Sequence, residues 1–123
     1  MIASLKELSG KNIERARRRR HITQAAFAQE VGLSVRWLRE LEGGNPASTL
    51  DDHLLCSQRL GIPFGQVLFP LLYMSRGMRF PMPLAGFDTV DLEARVVELI
   101  TERNARIFRD FLGQQPVAPY RRD

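Results

Sequence analysis

His21, His53 and Cys56 are the side chains of this chain best suited to nucleophilic, acid–base or metal chemistry. Their placement offers none of it. The two histidines fall in different helical segments with no carboxylate partner implied, so no acid–base set converges. A single cysteine rules out an internal disulfide, and no Cys/His cluster has metal-site spacing. Neither an enzyme nor a bound cofactor is expected. The residues whose type and density do suggest chemistry are basic. Between positions 11 and 20 stand Lys11, Arg15, Arg17, Arg18, Arg19 and Arg20, with Glu14 the only acid among them. Guanidinium groups crowded in this way attract phosphates, and the resulting binding weakens as salt rises. The bland alternative is a solvated helix face or a basic arm.

The bulk composition fits a folded, soluble chain. Lys and Arg outnumber Asp and Glu by 18 to 14, an excess small enough that the placement of charge matters more than its total. Hydrophobic residues make up 44% of the 123 positions, which suggests one compact domain with an appendage. No apolar run is long enough to span a membrane. Lys6, Glu7 and Lys11 interrupt any secretory signal layout, so a cytoplasmic location is expected.

Helical periodicity and punctuation then place these residues. The first segment, about Leu5 to Arg20, reads as a helix with a Ser4/Glu7 capping box; Leu5, Leu8, Ile13 and Ala16 share a face, and Gly10 weakens its middle. Thr23 suits the N-cap of a short second helix, Gln24 to Val31, in which Ala25, Phe27, Ala28 and Val31 supply packing groups. Gly32 suits its C-terminus. Ser34 can cap a third helix to about Leu41, with Leu38 and Leu41 inward and Arg36, Arg39 and Glu40 on other faces. Gly43-Gly44-Asn45-Pro46 is a stop. Ser48 and Asp51 suggest a second capping box, opening a fourth helix from about Thr49 to Leu60 with Leu50, Leu54 and Leu55 buried. Cys56 fits as a small buried hydrophobe. A fifth helix is expected from Pro63 or Phe64 to about Phe69, with Pro70 disrupting or kinking the chain beyond it. The resulting fold class is all-α.

Thr23-Gln24, Phe27-Ala28, Val31-Gly32-Leu33-Ser34, Leu38, Leu41-Glu42 and Gly44 together resemble the Cro/repressor (XRE) helix-turn-helix family, over about residues 8 to 70. The resemblance implies a five-helix, lambda-repressor-like DNA-binding domain over 1–70, acting as a transcription regulator. Independent physical reasons support such a unit. Ala28 is small where two helices would cross, Gly32 tolerates positive φ at the turn, and Leu33, Leu38 and Leu41 can hold the third helix on the core. By resemblance, Arg17 and Glu42 form an ion pair tying the first helix to the end of the third, and Gln24 touches a phosphate or a base edge. Base contact is expected from Ser34, Val35, Arg36, Trp37, Arg39 and Glu40. Arg36 is foremost, because a guanidinium can bind guanine O6 and N7 together. Glu40 can accept from cytosine or simply pair with Arg36. Trp37 either packs partly into the core or lies against the sugar backbone. Asn45 and its loop can donate backbone N–H groups to phosphate, and Arg18 belongs to the phosphate-facing cluster. His21 departs from the family by standing where glycine is frequent. His53 stands where leucine is preferred, which points to a hydrogen-bonded core histidine.

Residues 71–87 read as an apolar linker that packs on something. From 88 a long C-terminal helix runs to about Leu112, followed by a frayed tail to 123. Leu92, Val96, Ile100, Ile107, Phe108 and Phe111 form an apolar stripe interrupted at Arg103 and Asn104. A homodimer across a two-fold axis is expected to bury it, placing two third helices about 34 Å apart in successive major grooves. Docking onto the first domain, or binding another protein or a short peptide, remains open. The rival function is accordingly an interaction module, an antitoxin or adaptor gripping a partner through this helix.

Overall fold

The computed structural model describes residues 2–81, 84 and 88–114, and among these it holds seven helices and no strand. Contacts divide the chain into two units, with the boundary between Val90 and Asp91.

The first unit contains α1 (Ile2–Arg19), α2 (Gln24–Val31), α3 (Val35–Glu42), α4 (Leu50–Arg59) and α5 (Gly65–Ser75). Helix α1 is its axis and packs against α3, α4 and α5, while α2 packs against α3 and α4. Ile13, Phe27, Leu38, Leu41 and Cys56 are fully buried at the centre. Each of the large apolar side chains there contributes about 1.5–3 kcal/mol by leaving water. Ile22, Leu33, Val35, Leu55 and Ile62 close the core at its margins.

The caps explain the helix lengths. Thr23 accepts a hydrogen bond from the Ala26 N–H at 3.1 Å, and Ser34 accepts from the Trp37 N–H at 3.0 Å, so α2 and α3 start at the expected places. Helices α1 to α5 all end in one geometry. A residue in left-handed conformation follows each, and paired backbone bonds reach back over the last turn. At Gly32, for example, φ is 76°, the Gly32 N–H meets the Gln29 carbonyl, and the Leu33 N–H meets the Ala28 carbonyl. This turn directs the chain sharply from α2 into α3.

Four of these five residues are glycine; the exception is His21, at φ 55°. A β-carbon in this region costs roughly 1–2 kcal/mol. Replacing His21 with glycine is therefore expected to stabilise the domain by about 1 kcal/mol, raising its melting temperature by about 4–8 °C in a thermal scan.

Several expectations need correction. Helix α1 already begins at Ile2, so position 4 lies inside it rather than at its start. Gly10 has a positive role, since a Cβ there would stand 2.5 Å from the Leu41 carbonyl oxygen and 2.7 Å from that of Glu42. The backbone of α1 thus touches the end of α3 directly. Thr49, rather than Ser48, caps α4 by accepting from the Asp52 N–H. The buried side of α4 is His53, Cys56 and Ser57, with Leu60 just beyond; Leu54 and Leu55 are half-buried and Leu50 is exposed. Helix α5 runs through Pro70 to Ser75 instead of ending at Phe69. A mid-helix proline costs about 3 kcal/mol, and burial of Val67, Phe69 and Pro70 itself offsets that cost. Residues 71–75, expected in the linker, thereby belong to the helix. Beyond it Phe80 meets Tyr73 edge-on at 5.4 Å between ring centroids, and Thr89 is buried against Gly65.

The second unit contributes α7 (Ala105–Gln114) and all but the first residue of α6 (Val90–Arg103). The expected single long helix is broken at Asn104, whose side-chain amide donates to the Ile100 carbonyl at 2.9 Å. Such back-bonding competes with the regular ladder and bends helices. Linker residues 82–83 and 85–87, and the tail at 115–123, lie outside the described residues.

Candidate functional site

Helix α3 is amphipathic, with Leu38, Leu41 and Glu42 buried and Arg36 and Arg39 exposed. What fixes its orientation is polar as well as apolar. Arg17 of α1 binds Glu42 in a two-point pair, Nε to Oε2 at 2.7 Å and Nη2 to Oε1 at 2.9 Å. Its third nitrogen donates to the Ile22 carbonyl at 2.8 Å. Both residues are buried, and the hydrogen bond to Glu42 raises the Arg17 pKa above its ordinary value against the opposing effect of burial. The implied pair is therefore present.

Gln24 extends this network. Its amide nitrogen donates to Glu42 Oε1 at 3.0 Å, and its amide oxygen accepts from Arg39 Nε at 3.1 Å. Three helices meet in one chain of bonds: Arg17 on α1, Gln24 at the start of α2, Glu42 and Arg39 on α3. Gln24 is thus first a structural tie, with one amide hydrogen still to offer.

The outward row consists of Ser34, Arg36 and Arg39, with Val35 and Glu40 half-buried beside it. The Arg36 side chain is 91% exposed, and its approach to Glu40 at 3.7 Å is too long for a hydrogen bond. An exposed i,i+4 contact of this kind holds little energy, so the guanidinium can leave it readily.

Two expected members are otherwise engaged. Trp37 packs half-buried, and its indole N–H donates to Asp52 Oδ2 at 2.9 Å, tying α3 to the first turn of α4. Trp37 is not among the side chains that close the central core. The loop at Asn45 is not an open nest of donors. The N–H groups of Gly43, Gly44, Asn45 and Ser48 all bond backbone carbonyls, and that of Ala47 bonds the Asn45 side-chain oxygen.

The basic run is split by helical geometry. Arg17 is buried and Arg18 pairs with Glu14 at 2.8 Å on the surface. Arg20 donates to the Leu60 carbonyl at 2.8 Å, placing its charge at the C-terminal end of α4, where a cation is favoured. Arg15 and Arg19 remain exposed on another face. Sequence reasoning missed the Arg20 cap, the Lys6 bond to the Pro46 carbonyl and the Trp37–Asp52 bond. Each spans 15 or more positions, and no local pattern signals such partners.

In the second unit the predicted apolar stripe is in place and largely uncovered. Leu92, Ile100, Ile107 and Phe111 are exposed, and Val96 and Phe108 are half-buried. Among the described residues there is no group of His, Cys, Asp and Glu able to hold a metal, and no helix long and apolar enough to cross a membrane.

No family model, curated protein or solved structure matches the chain.

Proposed function

We propose that the first unit binds double-stranded DNA as a Cro/repressor-like helix-turn-helix, with α2 and α3 as its two helices and α3 in the major groove. The chain would thus be a sequence-specific, cytoplasmic transcription regulator rather than an enzyme. The observation that carries this reading is the asymmetry of α3. Its inner face and C-terminal end are fixed by the core and by the Arg17–Glu42–Gln24 network, while Arg36 and Arg39 project from the opposite side. A rigid helix offering exposed guanidinium groups, Arg36 held only by its long approach to Glu40 and Arg39 by one bond to Gln24, is suited to base-edge and backbone recognition. Arg36 reads a guanine, Val35 meets a thymine methyl and Glu40 stands beside them. Ser34, Arg39, Arg18 and the remaining amide hydrogen of Gln24 serve the sugar-phosphate backbone.

Two copies pair through the exposed apolar faces of α6 and α7, which a single copy of that unit leaves in water.

Gel-shift titration with genomic fragments tests the proposal. Wild type is expected to give a discrete shift that weakens steeply with salt. Arg36→Ala is expected to lose about 1–3 kcal/mol of discrimination at one base pair. Absence of any specific shift, together with a protein partner held through residues 88–112, would instead favour the interaction-module reading.

A further inference from the structure

The first unit also contains a cleft that the α2–α3 surface does not use. It lies between the C-terminal half of α1 and the junction of α4 with α5, and its volume is about 540 Å³. Small-molecule sites commonly measure roughly 300–1,000 Å³. Its lining divides by chemistry. Ala16, Leu60, Ile62, Pro63 and Val90 supply apolar surface, and Arg15, Arg19 and Arg20 supply positive charge. Asp88 is the one carboxylate among the described lining residues, and its Oδ1 accepts from the Val90 N–H at 3.0 Å.

Asn12 is the decisive residue. It is only 6% exposed, it lines the cleft, and its side-chain amide has no hydrogen-bond partner among the described residues. Among the described residues no side-chain nitrogen or oxygen cut off from solvent lacks a hydrogen bond, so the Asn12 amide is reached by water through the cleft and can exchange that water for a polar atom of a ligand. Arg15 stands one turn beyond Asn12 and Arg19 one turn beyond Arg15, with no ion pair to either arginine among the described residues. Arg20 is immobilised by the α4 carbonyls, so its charge is fixed at the cleft edge. Because Arg17 is two positions from both Arg15 and Arg19, it points to the other side of α1. The cleft is therefore separate from the network that fixes α3.

We infer that this cleft binds a small organic anion. Its carboxylate or phosphate is held by Arg15 and Arg19, its apolar body lies over Leu60, Ile62 and Val90, and a polar atom pairs with the Asn12 amide. This inference does not depend on DNA binding.

The test is an NMR titration of the full chain with 2-naphthoate and with phenyl phosphate, and with 2-naphthalenemethanol as the uncharged control. Saturable shifts of the Asn12 side-chain amide and the Gly61 backbone amide are expected from one or both anions, and these identify which head group the site takes. The doubly substituted chain Arg15→Glu, Arg19→Glu, altered only at exposed positions, should bind about tenfold or more weakly, as should Asn12→Leu. The inference is overturned if neither anion moves those two signals, if shifts are confined to residues 91–114, if the alcohol binds as tightly as the anions, or if the arginine substitutions leave affinity unchanged.

Discussion

Replacing Glu42 with alanine is expected to cost the first unit about 3–5 kcal/mol, the usual penalty for removing one member of a buried ion pair. Three groups lose their partner at once. Two nitrogens of the Arg17 guanidinium lose their acceptors, leaving a buried charge held only by the Ile22 carbonyl, and the Gln24 amide loses its acceptor. Against a typical total of about 5–15 kcal/mol, such a loss brings many domains close to unfolding at ambient temperature. Urea denaturation followed by tryptophan fluorescence measures it, since Trp37 reports on the α3–α4 contact. Substituting both partners, Arg17→Met with Glu42→Leu, removes the orphaned charge and is expected to recover most of the stability. A loss below about 1 kcal/mol for Glu42→Ala would mean that water replaces the carboxylate, and that the network does not set the position of α3.

The second large effect is on acid stability. His53 is fully buried, with Nδ1 2.9 Å from Ser9 Oγ and Nε2 2.9 Å from Ser48 Oγ. Ser48 already donates its hydroxyl hydrogen to the Asn45 carbonyl at 2.6 Å, so its oxygen is left to accept from Nε2. The neutral tautomer is then fixed, with Nε2 protonated and Nδ1 accepting from Ser9. Burial, reinforced by the charge of Lys6 and opposed by Asp52, pushes the His53 pKa down to about 4. In the unfolded chain it returns to about 6.5. Protons therefore favour the unfolded state between these values. The stabilisation is fully present above pH 6.5 and is lost as pH falls toward 4, a total of about 3 kcal/mol. His53→Gln keeps a donor and an acceptor but does not titrate there. Denaturation midpoints between pH 4 and 7 should show a shallower decline for the variant. Equal declines would assign the acid sensitivity to other groups.

The sequence was legible where structure is set locally. Helices α2 and α3 have the expected bounds because Thr23, Ser34 and Gly32 each act within a turn of themselves. The Arg17–Glu42 pair spans 25 positions and came only from the family resemblance. What could not be read depends on distant partners. The rotation of α4 follows His53, whose serine partners come from positions 9 and 48, so the leucines that looked buried by spacing turn outward or sit at the margin. Helix α5 outlasts Pro70 because burial overrides a local breaker. The break at Asn104 was visible as an interruption of the stripe, but its form depends on the side chain turning back to Ile100. The basic run looked like one patch because charge in a linear stretch does not reveal which side of a helix each arginine takes.

Direct main-chain contact at Gly10 gives the exposed face of α3 an unusual freedom. The lower end of that helix is seated by carbonyl oxygens of positions 41 and 42 resting against a residue with no side chain. A seat made this way does not depend on rotamers and does not shift when outward-facing side chains are exchanged. Arg36 can therefore be rewritten for a different surface without retuning the helix's lower anchorage, whereas any β-carbon at position 10 would tilt every outward residue together.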